Sequence, residues 1–309
     1  MVDYNKIISS LKGRIPVIIG PTAVGKTRFS INFSNKIESE IISIDSRQIY
    51  RDFIIGTSQP SCLEQKQAKH HLINVLNFNE IISAGKYLNL VDEIIGDLRS
   101  RDKTPILVGG TMLYIKLLCY GMIKIKNGHQ GIREKLLKQI KQGDIKYLHN
   151  KLKIIDPKYS EKVSPNDHKK LIRALEIFYI TGRSPSEIYL DNEKEKIRYR
   201  SNYFLIELKE NNEILKEKIK LRTIKMFDKG WVKEVEKLLK RGIPKNCHPM
   251  QSVGYKEVIH LLENSISETE TIDLISTKTW HYARKQLTWL RKIDTDLILE
   301  VNSINYDTN

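Results

Sequence analysis

Cysteine is scarce. There are three in 309 residues, Cys62, Cys119 and Cys247, far apart and without a CxxC pair. That pattern excludes a disulfide framework and a structural zinc site, and it points to a reducing, cytoplasmic compartment. No uninterrupted apolar run approaches the roughly 20 residues that span a bilayer, so no membrane is expected. Residues 1–10 are mixed-polar and lack the apolar stretch of a signal peptide. Internal repeats and long low-complexity tracts are missing as well. Acidic residues are in short supply, with 37 Asp+Glu against 52 Lys+Arg and a net charge of +15. Such an excess leaves a polyanionic partner and a simple solubility bias both open. What is present is enough apolar residue, 40%, to build a core, which excludes general disorder.

The charge has a location. The first 120 residues hold 15 basic and 11 acidic side chains, whereas the remaining 189 hold 37 and 26. The first part reads as α/β. Short apolar runs at 15–19, 41–44 and 106–108 end in Gly20, Asp45 and Gly109-Gly110, as buried strands of a mostly parallel sheet do. Helical patterns at 27–35 and 87–99 lie between them, and this alternation predicts a doubly wound sheet. Ligands of such sheets bind beyond the carboxyl ends of the strands. A polar loop is expected over 126–131, followed by amphipathic helices at 132–142, 145–155 and 168–180. A helix stop at 181–185 and a highly charged stretch at 191–200 come next, and a strand-like run resumes at 203–208. Residues 212–241 and 255–292 read as helical. The expected organisation is an α/β core, 1–123 and 201–309, interrupted by a helical subdomain at 124–200.

Gly20-Pro21-Thr22-Ala23-Val24-Gly25-Lys26-Thr27 matches GxxxxGK[ST] between a strand and a helix. Glycines let backbone N–H groups turn toward phosphate oxygens, the helix N-terminus adds its dipole, Lys26 adds a cation, and the Thr27 hydroxyl suits Mg²⁺. The fold class is therefore P-loop NTPase-like. The motif says phosphate without saying ATP. A hydrolysing P-loop enzyme usually carries an Asp at the end of a second apolar strand, but 106–108 ends in Gly109-Gly110-Thr111. Asp45 ends another strand, soon after the P-loop, in a place that suits an acceptor lying across the phosphates. His70-His71 resembles a metal pair, but neighbours on a strand point apart and no third ligand is suitably spaced, so a structural role is expected.

The ordered set of segments resembles the tRNA dimethylallyltransferase (tRNA isopentenyltransferase) family across nearly the whole chain. The set comprises the P-loop; Ile42-Ser43-Ile44-Asp45-Ser46-Arg47-Gln48-Ile49-Tyr50-Arg51; Ile55-Gly56-Thr57; His70-His71-Leu72; Ser83-Ala84; and Leu107-Val108-Gly109-Gly110-Thr111-Met112-Leu113-Tyr114. Further on come Asn166-Asp167, Leu171-Ile172-Arg173-Ala174-Leu175-Glu176, Thr181-Gly182, Val253-Gly254-Tyr255-Lys256-Glu257 and Arg284-Lys285-Gln286-Leu287-Thr288-Trp289-Leu290-Arg291. The resemblance implies transfer of a dimethylallyl group from dimethylallyl diphosphate to N6 of the adenine 3′-adjacent to the anticodon, with Mg²⁺ as cofactor and tRNA as partner. It implies Asp45 as the base that orients N6, with Thr27 and Arg222 serving the departing diphosphate. Asp45, Ser46, Arg47, Gln48, Thr111 and Arg133 fall on tRNA-contacting positions. So do Lys169, Lys170, Leu171, Ile172 and Arg173; Gln251, Ser252, Val253, Gly254, Tyr255 and Lys256; and the run Arg284 to Arg291. Trp289 and Tyr255 read more readily as core residues than as stacking platforms. Residues 124–131, Trp280 and Gln251-Ser252 depart from the family pattern and touch the tRNA side. A monomer is expected. The alternatives are an adenylate isopentenyltransferase acting on free nucleotide, a P-loop kinase of small molecules, and a non-catalytic RNA-binding protein.

Overall fold

A computed structural model describes residues 2–122 and 130–301, with side chains omitted for Gln130 and 192–199. The first stretch runs α1 (Tyr4–Leu11), β1 (Ile15–Ile19), α2 (Lys26–Ser34), β2 (Ser39–Ile44), α3 (Cys62–Gln67), β3 (His70–His71), α4 (Ala84–Ser100), β4 (Thr104–Gly109) and α5 (Met112–Tyr120). An all-helical stretch follows: α6 (Gln130–Lys141), α7 (Ile145–Ile155), α8 (Pro157–Ser160), α9 (His168–Thr181) and α10 (Pro185–Arg200). The chain then returns through β5 (Tyr203–Lys209), α11 (Asn212–Asp228), α12 (Trp231–Lys240), α13 (Tyr255–Leu262), α14 (Glu268–Leu290) and β6 (Leu297–Glu300). Two compact units result. One joins residues up to 118 with those from 201 onward, and the other is 119–200.

The sheet has six strands, all parallel, in the order β3-β2-β4-β1-β5-β6. β1 is buried at every position, as a strand covered by helices on both faces must be. Its Ile18 shares a core with Phe29, Ile31 and Phe33 of α2 and with Leu215 and Ile219 of α11. Trp280, expected on the tRNA side, is partly buried and packs against that same core. The helical unit has its own core, built from Leu136, Leu148, Leu152, Leu171, Ile172 and Leu175.

Some elements differ from expectation. The charged stretch at 191–200, assigned no element from sequence, is the C-terminal part of α10. Its sequence repeats no apolar face, so periodicity gave no sign of a helix. The expected helix 212–241 is two, separated where Gly230 takes a left-handed conformation (φ 88°). The expected loop at 126–131 lies mostly outside the described residues, and its last two positions open α6. Cys119 is buried, Cys62 is exposed, and none of the three cysteines is in a disulfide. Among the described residues no helix is long and apolar enough to cross a membrane.

His70 and His71 turn opposite ways from β3. His70 Nδ1 lies 2.7 Å from the Ala68 carbonyl, and His71 Nε2 lies 2.6 Å from the Glu40 carboxylate. Glu40, near the start of β2 and 2% exposed, also meets Lys69, Arg101 and Lys103 at 3.2, 3.0 and 2.7 Å. Burial pushes the Glu40 pKa up, but the hydrogen bonds from Arg101, Lys103, His71 and Lys69 outweigh it and hold the carboxyl well below the usual range. Glu40→Ala removes the shared acceptor of these partly exposed cations and is expected to cost about 1.5–3 kcal/mol, the worth of hydrogen bonds to a charged group, read as the midpoint of urea unfolding. The sign follows from linkage. A depressed carboxylate contributes stability above its unfolded pKa and loses it as pH falls toward its folded value. The gap between wild type and Glu40→Ala therefore begins to narrow below about pH 4 and goes on narrowing as pH falls further.

Candidate active site

Three neighbouring strand ends meet at one edge of the sheet. β1 ends in the P-loop, β2 in Asp45, and β4, lying between them, in Gly109-Gly110-Thr111. That spacing needs glycine, since a Cβ at Gly109 would strike the Ile44 carbonyl and one at Gly110 would strike Gln286.

The P-loop hands over to α2 at Gly25, which sits in a left-handed conformation (φ 102°) and offers no side-chain cap. By contrast α1, α4, α9, α11 and α14 are capped by Asp3, Ser83, Asp167, Asn211 and Ser267. The first N–H groups of α2 thus stay available to an anion. Lys26 Nζ donates to the Gly20 and Pro21 carbonyls at 3.0 and 2.8 Å, folded back over the loop. Burial drives its pKa down to about 7, with Asp45 opposing and Arg222 adding to the fall. Arg222 reaches over from α11, and its Nη2 donates to Thr22 Oγ1 at 2.8 Å. Its Nε is buried without a partner among the described residues, one donor still waiting for an acceptor. Burial lowers the Arg222 pKa too, against the pull of Asp45.

Asp45 closes its own turn. Oδ1 accepts the N–H groups of Arg47 and Gln48 at 2.8 and 3.3 Å, so the turn is held through one of the two carboxylate oxygens. Beneath it Tyr87, fully buried, donates to the Ser43 carbonyl and accepts from Asp45 N at 3.3 Å. Burial first, then the Asp45 charge, raises the Tyr87 pKa far above its ordinary value, so this phenol stays protonated. Thr111 ties β4 to the turn, its Oγ1 accepting Ser46 N at 3.1 Å and its N–H reaching the Ile44 carbonyl at 3.3 Å. Tyr282 of α14 is 44% exposed, yet desolvation first, then the nearby Asp45 charge, raises its pKa as well.

The residues after the turn are gripped from the far end of the sequence. Glu234 of α12 accepts Ile54, Ile55 and Gly56 N–H at 3.1, 2.7 and 3.3 Å, and the Tyr255 hydroxyl at 2.7 Å. Gln48 Nε2 donates to the Ser58 carbonyl at 3.0 Å. Arg47 donates to the His248 carbonyl at 2.7 Å, while His248 Nδ1 lies 3.0 Å from the Tyr50 hydroxyl. Tyr87, Tyr282, Glu234 and His248 had no sequence signal, because each is defined by a partner remote in the chain.

The positions that the resemblance marks for tRNA separate by exposure. In the helical unit Lys169 and Lys170 are exposed, and Arg133 and Arg173 converge on Glu176 at 3.0 and 3.5 Å. Glu176 is 4% exposed and holds two surface guanidinium groups in place. Leu171 and Ile172 are core, so the helix they anchor, rather than their side chains, is what a partner could meet. In the other unit Gln251, Val253, Lys256, Arg284, Lys285, Thr288, Trp289 and Arg291 are exposed. Lys116 Nζ lies 5.7 Å from the Trp289 ring centre. Ser252 Oγ, Gly254, Tyr255, Gln286 and Leu290 are buried, and Leu287 is half-buried. Tyr255 packs against Phe53 and Trp231, so it is a core residue and no stacking platform.

Among the described residues no group of three or more His, Cys, Asp or Glu could hold a metal. The half-buried Thr27 hydroxyl, in the first turn of α2, is a single hard oxygen. Such a donor fits an ion of the Mg²⁺ type that keeps waters and shares phosphate oxygens, and does not fit a resident protein cage.

A family model described as IPP transferase matches residues 48–293. The chain is 38% identical over 294 residues to a tRNA dimethylallyltransferase of Acetivibrio thermocellus, covering 95% of this chain and 93% of the relative. It is 35% identical over 286 residues to tRNA dimethylallyltransferase 1 of Syntrophotalea carbinolica, covering 93% and 90%. Among solved structures, the tRNA isopentenylpyrophosphate transferase of Bacillus halodurans superposes with a TM-score of 0.68 at 32% identity, covering 96% and 92%. A eukaryotic dimethylallyltransferase acting on tRNA superposes with a TM-score of 0.82 at 28% identity, covering 93% and 73%.

Proposed function

The chain belongs to the IPP transferase family, and from that premise we propose that it moves the dimethylallyl group of dimethylallyl diphosphate to N6 of the adenine 3′-adjacent to the anticodon in tRNA. The observation that carries this reading is the pairing of an uncapped phosphate cradle on β1 with a carboxylate on β2, across a strand end, Gly109-Gly110-Thr111, that bears no acid. A phosphoryl-transfer enzyme of this class wants an acid there for its metal. A diphosphate leaving group needs N–H donors and cations instead.

The adenine amine attacks the allylic carbon. The N–C bond forms as the C–O bond breaks, and its electron pair leaves on the diphosphate. Asp45 Oδ2 takes the N6 proton. Charge growing on the diphosphate meets the first N–H groups of α2 and Arg222, and Lys26 once its ammonium turns from the Gly20 and Pro21 carbonyls to the phosphate. Mg²⁺, when bound with the diphosphate, would neutralise further charge, with the Thr27 hydroxyl as its protein ligand. The adenine lies in an anticodon loop and can be extruded at low cost to reach Asp45, Ser46, Arg47 and Gln48. Exposed Lys169, Lys170, Arg133 and Arg173 in one unit, and Lys256, Arg284, Lys285 and Arg291 in the other, supply phosphate contacts. One copy of the chain carries every group invoked, so a monomer acting in the cytoplasm suffices.

The test incubates the protein with radiolabelled dimethylallyl diphosphate and, separately, unmodified tRNA, AMP or ATP. Label in tRNA is expected. Label in AMP alone would overturn the reading in favour of a free-nucleotide enzyme, and ATP turnover without label would favour a kinase. Affinity for tRNA is expected to fall linearly on a log–log salt plot, with a slope of about −0.7 to −0.9 per phosphate neutralised. A flat profile would remove these basic residues from the binding surface.

A further inference from the structure

Gln286 occupies an odd place for a residue in a basic, RNA-facing run. Its neighbours Arg284, Lys285 and Thr288 are exposed, yet Gln286 is 4% exposed and points inward from α14. There its amide spans two strand ends. Oε1 accepts Thr22 N at 2.8 Å, and Nε2 donates to the Gly110 carbonyl at 2.8 Å. Tyr282 lies one turn earlier on the same helix. The chemistry fixes which way the amide points. Thr22 N can only donate and the Gly110 carbonyl can only accept, so one orientation alone satisfies both. A carboxylate would satisfy the first and leave the second unpaired. A thioether of the same length would satisfy neither.

The two ends it joins are the two halves of the reaction. Thr22 lies in the phosphate cradle, and its hydroxyl is taken by Arg222. Gly110 precedes Thr111, whose side chain and N–H bind the backbone on either side of Asp45. We propose that Gln286 is a positioning residue for group transfer, its amide setting the separation between the diphosphate cradle and the Asp45 turn. It rests on the prenyl-transfer reading above. Transfer between two fixed partners is steeply sensitive to their spacing, and a shift near 1 Å can cost about 100-fold in rate. The buried amide acts on that spacing and does not touch RNA.

The experiment compares the full chain with Gln286→Met and Gln286→Glu. It reads prenyl transfer to unmodified tRNA, calorimetric affinity for inorganic diphosphate, tRNA affinity and thermal midpoint. Gln286→Met is expected to lower kcat by about 10- to 100-fold and to weaken diphosphate binding by about tenfold through a loosened Thr22, with tRNA affinity unchanged. Gln286→Glu is expected to bind diphosphate still more weakly, since it places a negative charge beside the cradle. A Gln286→Met protein that loses tRNA affinity in proportion to transfer would make Gln286 an RNA contact and overturn the proposal. Activity lost only in proportion to unfolded protein would overturn it too, leaving a purely structural residue. Should the wild type label no tRNA, the prenyl-transfer reading falls by itself. The diphosphate arm then judges Gln286 alone, and an unchanged affinity in Gln286→Met overturns the proposal.

Discussion

Asp45→Asn is expected to lower turnover by about 10²- to 10⁴-fold, the range for loss of a general base, while diphosphate affinity stays within about twofold. Asparagine is chosen because its carbonyl oxygen can still accept the Arg47 and Gln48 N–H groups that Oδ1 accepts now. The turn survives, and only the proton acceptor is lost. Asp45→Ala removes both. Its transfer falls as far, and it gives up about 1 kcal/mol of stability besides, the ordinary worth of hydrogen bonds to a turn. Steady-state prenylation together with diphosphate calorimetry separates the outcomes. Full activity in Asp45→Asn would take the base role from this residue. Loss of diphosphate affinity matching the loss of turnover would place Asp45 in the cradle instead.

Lys26→Met is expected to lower kcat/KM for the diphosphate donor by about 100-fold, near the value of a charge-assisted contact that strengthens as the leaving group departs. Its signature is also protonic. Burial holds the Lys26 pKa at about 7, so the free protein carries this charge only in part near neutrality. An anion set against the ammonium raises that pKa again. Binding therefore takes up a proton between about pH 7 and 9, and affinity weakens as pH rises through the free-state value. Calorimetry in two buffers of different ionisation enthalpy measures the uptake. The difference between wild type and Lys26→Met isolates this group from the titration of the diphosphate itself. Equal proton uptake in both proteins would show that Lys26 is not the titrating cation.

What could be read in advance follows from range along the chain. β1, β2, β4 and β5 are buried apolar runs that stop at Gly, Asp or a charged residue, so local composition announces them. β6 alternates between half-buried and exposed positions and β3 has two residues, and neither stands out from loop sequence. The P-loop and Asp45 were legible because their chemistry lies in consecutive residues. Glu234 and Gln286 were not, since what they do is defined by Ile54–Gly56, Thr22 and Gly110, far away in sequence. Family resemblance marked Gln286 by position, and only burial revealed that it faces inward. Glu176 lay in plain view within a recognisable run, but its part in holding Arg133 and Arg173 needed α6 and α9 side by side.

The sheet order carries a consequence for synthesis. β1, the strand that presents the phosphate cradle, is flanked by β4 and β5 and not by β2, the next strand in sequence. As the chain emerges from the ribosome, β4 can dock on one side of β1 once residues 104–109 are out. The other side waits for residues 203–209, behind the whole helical unit. At about 5–20 residues per second that delay is on the order of ten to forty seconds, with an apolar strand edge unpaired throughout. A chain cut short after the helical unit would therefore lose more than its basic C-terminal helices. It would keep the P-loop sequence on a strand with an open side, and sticking to other nascent chains would be its dominant fate.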